Sequence, residues 1–354
     1  MKALFFWEPA GLSLDQANPY GGLLAREMRA LGLQFEPGFR EQLSSTFLEA
    51  EKGNLGALHI NWPSSLYADP DPRVAVARAA DLLGGLNHAR ALGIKVVWTM
   101  HNLYPHESTL PELDRLVRLG ITACADTVIV HCEQARAQLR RHFFREHGVF
   151  TIPHGHFIDP YPNTLTRTEA RARLGLDPGV FVYLFFGSVR PNKGLDQLVR
   201  SFRELADPDC LLFIAARVYN DESAAAVDRI EKADPRIRVH RSRFYQNDEF
   251  QLFYNSADVA VFPFTDVQTS GSAITALSLG CPVVVPASGC LTELVDARIG
   301  LTYNPAQPGA LLQALQNARG LDLPSCRTEA LARMRTLDWK GIARRTLDAY
   351  GVTP

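Results

Sequence analysis

Four short stretches of this 354-residue chain carry residue types at spacings suited to chemistry. In FFGSVRPNKGLDQLV (185–199) an apolar strand-like run ends, Arg190 and Lys193 follow, and helical sequence begins. A helix start already bears partial positive charge, so two further cations there are best matched by an anion. A diphosphate fits, because arginine grips it bidentately and lysine acts as a point charge. The alternative is a solvated turn with incidental charges. In PFTDVQTSGSAITALSLGCPVVVP (263–286) a helix starts near Thr269-Ser270-Gly271-Ser272, where free N–H groups and a glycine suit phosphate oxygens; simple Ser/Thr capping is the plainer reading. TMHNLYPHES (99–108) places His101, Asn102, His106 and Glu107 on one strand-end loop, a set suited to acid/base work and to sugar hydroxyls, or to satisfying loop backbone and preceding a helix near Ser108. IPHGHFIDP (152–160) carries His154 and His156, which without an acidic neighbour are weak metal ligands.

The elements that position these stretches alternate regularly. KALFFW, GALHINW, KVVWTM, DTVIVHC and VFTIP in the first half, then FVYLFFG, CLLFIAA, RIRVHR, DVAVFPF and CPVVVP in the second, read as buried parallel strands separated by helical sequence. This predicts an α/β protein with two Rossmann-like doubly wound domains facing across a cleft, with ligands beyond the carboxyl ends of strands. The Pro-, Asn- and Thr-rich stretch 154–168 marks the boundary, giving domains 1–158 and 159–338. The segment TLDWKGIARRTLDAYG predicts a final helix (339–354) that packs back on the first domain.

Composition narrows the function classes. With 37 Lys+Arg against 38 Asp+Glu the net charge is −1, which excludes a global field for nucleic acid. The six cysteines form no CxxC pair, which suits a reducing cytoplasm and argues against a zinc site or disulfide framework. No apolar run is long enough to span a bilayer. Asp69-Pro70-Asp71-Pro72 contains a D-x-D that can hold a divalent metal, but it precedes a helix and reads as a cap. The basic stretch 133–147 with Leu139, Phe143 and Phe144 is a candidate for peripheral membrane contact; one packed face and one solvated basic face is favoured over it. A dehydrogenase is disfavoured, since no G-x-G-x-x-G follows an early strand.

Gly187-x-x-Arg190-x-x-Lys193-Gly194 and SGSAITALSLGCPVVVP resemble the GT-B glycosyltransferases of the family-4-like group. The sequence departs from that group at its Glu-x7-Glu pair, since Val267 and Thr275 stand at those places and Asp266 is out of register. NPYGGLLAREMRAL, LHINWPSSLY, TMHNLYPHES, IPHGHF, FGSVRPNKG and TSGSAITALSLGCPVVVP, in that order, are similar to glycosyltransferase family 94, the β-mannosyltransferases of xanthan assembly. The resemblance implies transfer of mannose from GDP-mannose, with inversion, to a polyprenyl-diphosphate-linked oligosaccharide or other glycan at the inner face of a membrane, without cofactor or metal. It implies a donor site of Arg190, Lys193, Ser270, Gly271, Ser272, His101, His154 and Glu293, with Glu293 on ribose hydroxyls and His101 on a sugar hydroxyl. Glu107 is the expected base, with His106, His156 and Asp15 as competitors. A retaining transferase using another sugar nucleotide, or a non-catalytic glycan- or nucleotide-sugar-binding protein, are the alternatives.

Overall fold

The structure is a computed structural model and describes residues 1–7, 12–14, 18–105 and 108–352. The chain divides into two compact units, residues 1–155 with 337–354, and residues 156–336. Each is built on a six-stranded, wholly parallel sheet.

In unit 1 the strands are β1 (Lys2–Phe6), β2 (Gln34–Pro37), β3 (Leu55–Ile60), β4 (Lys95–Thr99), β5 (Thr127–Val130) and β6 (Val149–Thr151), in the order β2-β1-β3-β4-β5-β6. The chain runs from β1 to β2 on one side and then to β3 on the other, so the strand order reverses between β1 and β3. In unit 2 they are β7 (Phe181–Ser188), β8 (Cys210–Arg217), β9 (Ile237–Ser242), β10 (Val259–Val261), β11 (Val283–Pro286) and β12 (Gly300–Tyr303), in the order β12-β11-β10-β7-β8-β9. The reversal there lies between β7 and β10, which pair through Val259↔Tyr183 and Ala260↔Leu184. In open α/β sheets such a reversal opens a crevice at the strands' carboxyl ends.

All ten strands expected from the apolar runs are present. The two additional strands, β2 and β12, are both sheet edges. Their sequences, QFEP and GLTY, are short and only half apolar because one side meets solvent. The helix expected near Ser108 begins instead at Pro111, a residue whose fixed φ and missing N–H suit the first turn. Asp71 caps the helix Pro72–Ala91, accepting from the Arg73 N–H at 2.9 Å, and Asp69 pairs with Arg78 at 2.8 Å, so the D-x-D is consumed in turn and cap.

A buried charge cluster locks unit 2. Asp258, just before β10, accepts from Arg171 and from the Val182 N–H, both at 2.7 Å, and pairs with Arg167 at 2.7 Å. Arg171 also donates to the carbonyls of Ser256, Asp177, Pro178 and Val180, so its guanidinium is nearly saturated although almost fully buried. In unit 1 the last helix, Trp339–Ala349, is capped by Asp338 and packs Trp339 against Tyr20 at 5.1 Å between ring centroids. Cys124, Cys210, Cys281 and Cys326 are buried free thiols, as small core residues; Cys132 and Cys290 are not among the free ones. No cluster of three metal-ligating side chains exists among the described residues.

Candidate functional site

In unit 2 the carboxyl edge at the β7/β10 reversal gathers the predicted cations and the helix start. After β7 the chain forms one turn, Pro191–Lys193, closed by Gly194 at φ +68°. A Cβ on Gly194 would lie 1.8 Å from the Pro263 carbonyl oxygen, so the turn is seated directly on the segment that leaves β10. The Thr265 N–H donates to the Asn192 carbonyl at 3.1 Å and fixes the same contact. Lys193 Nζ lies 4.8 Å from the centre of the Phe264 ring. Burial, and secondarily the Arg190 charge, push the Lys193 ammonium below its ordinary range. An anion at this edge would relieve both effects.

Nine residues beyond the end of β10, Ser270 caps the helix Gly271–Ser278, its hydroxyl accepting from the Ala273 N–H at 3.1 Å. A Cβ on Gly271 would meet only Phe157 at 3.7 Å, an ordinary contact, so protein packing does not require a glycine at this helix start. Thr275, at the place of the second family acid, turns its hydroxyl back onto the Gly271 carbonyl at 2.8 Å. Gln268 is buried, and neither end of its amide has a hydrogen-bond partner among the described residues. Glu293 lies in the one-turn helix Leu291–Leu294.

Sequence reasoning missed two residues of this edge. Arg217 ends β8 and Tyr219 follows; the Arg190 guanidinium lies 5.6 Å and that of Arg217 5.5 Å from the Tyr219 ring centre. The signal was present as ARVY after an apolar run, the same strand-then-cation pattern that drew attention to Arg190.

In unit 1 the histidines at the strand ends join a buried network. His59 bonds Tyr350 through Nδ1 and Thr99 through Nε2, each at 2.7 Å. His131 Nδ1 faces the Ile152 carbonyl at 2.9 Å, and its Nε2 faces His101 Nδ1 at 3.1 Å; His101 Nε2 faces Asn61 at 3.1 Å. A carbonyl only accepts, so His131 carries its proton on Nδ1 and its Nε2 accepts from His101. Asn61 presents Oδ1 to His101 Nε2, so a donor there requires the amide turned by half, which exchanges its longer Nδ2 contacts to the Phe6 and His59 carbonyls, at 3.4 and 3.5 Å, for the one to His101. Burial drives the network neutral: His59 is pushed down to about 3, His131 to about 4 and His154 to about 3, and His101 well below its ordinary value, with neighbouring histidines adding to the shift at His59, His101 and His154. Both ring nitrogens of His101 therefore face internal partners, His131 and Asn61.

The HGH stretch has a packing explanation. A Cβ on Gly155 would stand 2.4 Å from the Trp339 indole, so the glycine lets the last helix close on this strand end. His154 donates from Nδ1 to the Gly155 carbonyl at 2.8 Å and packs on Tyr20 and Trp339. His156 Nδ1 accepts the Ile158 N–H at 3.2 Å, which leaves the proton of a neutral ring on Nε2; that tautomer donates rather than accepts at Nε2, contrary to a base. His106, Glu107 and Asp15 lie outside the described residues. The start of the next helix is tied down by Asp114, which accepts from Ser108 and Tyr67. In the basic stretch, Leu139 and Phe143 are buried while Phe144 is 80 % exposed at φ +56°.

Two family models match the chain: "Glycosyl transferases group 1" over residues 180–319 and "Glycosyltransferase Family 4" over residues 69–159. The chain is a family-4-like GT-B glycosyltransferase. It is similar to the GDP-mannose:glycolipid 4-beta-D-mannosyltransferase of Xanthomonas campestris pv. campestris, 27% identical over 311 residues that cover 84% of this chain and 79% of the relative. It is also similar to the D-inositol 3-phosphate glycosyltransferase of Streptomyces bingchenggensis, 28% identical over 65% of this chain and 53% of that protein. Among solved structures it shares its fold with sucrose-phosphate synthase from Thermosynechococcus elongatus, with a TM-score of 0.76 at 19% identity over 99% of this chain and 98% of the other. It shares it too with Anabaena HepE in complex with UDP-glucose, with a TM-score of 0.70 at 15% identity over 99% of both chains. Glycosyltransferases of this kind use nucleotide-sugar donors and need no cofactor. No helix among the described residues of this glycosyltransferase is long and apolar enough to cross a membrane.

Proposed function

We propose that this glycosyltransferase moves mannose from GDP-mannose, with inversion, onto a lipid-linked oligosaccharide or a related glycan. The observation that carries the donor half is the carboxyl edge of the second sheet, where Arg190, Lys193 and the helix start at Ser270-Gly271 stand at one strand-order reversal. The similarity to a GDP-mannose-dependent glycolipid transferase over 84% of the chain supports the choice of sugar nucleotide and acceptor.

In this reading unit 2 holds the donor and unit 1 the acceptor. As the acceptor hydroxyl attacks the anomeric carbon, the C–O bond to the diphosphate breaks and negative charge grows on the leaving oxygen. Arg190, Lys193 and the N–H groups of Gly271 and Ser272 stabilise that charge, so no metal is needed. Glu293 accepts from ribose hydroxyls. Glu107 takes the acceptor proton; the Nδ1 contact of His156 favours a donor role for that ring. His101 and His154 act here as neutral, buried groups that shape the acceptor unit. Phe144 with Arg140 and Arg141 supplies a peripheral contact to the membrane that bears a lipid-linked acceptor.

The test is transfer of labelled mannose from GDP-mannose to a polyprenyl-diphosphate-linked oligosaccharide, with the product's anomeric configuration determined. A β-linked product that disappears in Lys193→Ala supports the reading. An α-linked product refutes inversion, and transfer only from uridine sugars refutes the donor.

A further inference from the structure

We propose that Arg217, braced by Tyr219 and Phe244, grips the guanine edge of the donor nucleotide; this deepens, and rests on, the GDP-mannose reading. Arg217 is the last residue of β8, paired in register with Ser188 of β7 and Ser242 of β9. The ladder continues one step past the strand ends, with Val189 N–H donating to the Arg217 carbonyl at 3.4 Å and Val218 N–H to the Ser242 carbonyl at 3.0 Å. Arg190, Tyr219 and Phe244 therefore stand on adjoining loops at the same carboxyl edge, beyond β7, β8 and β9 respectively.

The guanidinium of Arg217 lies 5.5 Å from the Tyr219 ring centre and 5.9 Å from that of Phe244. These two rings are 46 % and 41 % exposed, unusual for large aromatics, yet they flank a cation. The Arg217 Nε–H is buried and has no hydrogen-bond partner among the described residues. A buried, unpaired N–H is a free-energy cost that folding alone does not explain. Arg190 approaches the same Tyr219 ring, so two like charges are held on one aromatic side chain. Both features make sense when a polar, flat ligand lies against the edge.

Chemistry selects the ligand. If Arg190 and Lys193 hold the diphosphate, the nucleoside extends from them along this edge. A base stacks on exposed aromatic or guanidinium planes. Guanine presents two neighbouring acceptors, O6 and N7, which match the fork of a guanidinium held in a fixed plane. Uracil presents a carbonyl beside an N–H donor, so one arm of the fork would meet a donor.

Calorimetric titration of the full chain with GDP, UDP and inorganic pyrophosphate tests this, using wild type, Arg217→Ala and Arg217→Lys, each checked for an unchanged thermal midpoint. Loss of a bidentate base contact predicts a fall in GDP affinity on the order of 10- to 100-fold in both variants, with pyrophosphate unchanged. Arg217→Lys keeps the charge and loses the fork, so it should resemble alanine. Equal weakening of GDP and pyrophosphate would make Arg217 a phosphate ligand and overturn the proposal. A wild-type preference for GDP that survives Arg217→Ala overturns the grip alone. A wild-type preference for UDP overturns the donor reading and the grip with it.

Discussion

Gly194→Ala should unseat the Pro191–Lys193 turn from the segment that leaves β10. The position has φ +68°, and an added Cβ would stand 1.8 Å from the Pro263 oxygen. Contacts below 3.0 Å essentially do not occur, so the Pro191–Lys193 turn must part from the β10 exit by at least about 1.2 Å. The left-handed backbone alone costs a non-glycine residue about 1–2 kcal/mol. Gly175 provides the matched control, because it has φ +60° and nothing within 4 Å of an added Cβ. Gly175→Ala should therefore show only the backbone cost, a loss of about 1–2 kcal/mol, with nucleotide binding intact. Gly194→Ala should lose more stability, and it also displaces Lys193 from its place beside Phe264. A displacement of about 1 Å at a reacting group is worth on the order of 100-fold in rate. The assay pairs denaturant unfolding with donor titration and turnover for both variants. If Gly194→Ala matches Gly175→Ala in stability and binds donor like wild type, the argument that the turn's seat on Pro263 positions Lys193 is wrong.

Three further outcomes follow from the same structure. Stability should fall in acid: the native pKa values of His59, His131 and His154 lie near 3, 4 and 3, so the unfolded chain takes up protons that the native state refuses once pH drops below about 6.5. Each histidine contributes about 1.4 kcal/mol per pH unit, about 4 for the three, and the effect is absent above pH 7; equal denaturation midpoints at pH 7.5 and 5.5 would contradict the buried neutral network. Asp258→Ala should destabilise by about 3–5 kcal/mol, because it strands the buried Arg171 charge; a loss under about 1 kcal/mol would show that the cluster is not stabilising. Gln268→Met should raise the thermal midpoint by about 2–4 °C, since it removes a buried amide without partners at a gain of about 1 kcal/mol; a lowered midpoint would mean that the amide is satisfied in solution.

Much of this fold is legible in the sequence because parallel strands buried on both faces must be continuously apolar, as VVV, LFF and LLFIAA are. The edge strands β2 and β12 escape that reading because half their surface is wet. The candidate site was legible where a residue type is odd in its place: cations after a strand at Arg190 and Lys193, and a glycine after them. The reason for that glycine lies in Pro263, far along the chain, and only the pairing of β7 with β10 brings the two together. The HGH pattern invited a chemical reading, yet its glycine answers to Trp339 in the last helix. His101 likewise stood out as a ligand, but the partners that occupy its nitrogens, Asn61 and His131, come from β3 and β5 ends that local sequence does not connect.

In the proposed function, the second unit's sheet edge holds a guanosine diphosphate sugar through Arg190 and Lys193. The most direct test is titration of the purified protein with GDP-mannose and UDP-glucose, followed by both titrations on Lys193→Ala. GDP-mannose should bind in clear preference to UDP-glucose, and Lys193→Ala should lose that binding while its thermal unfolding is preserved. Uridine selectivity, or GDP-mannose binding undiminished in a folded Lys193→Ala protein, would contradict it.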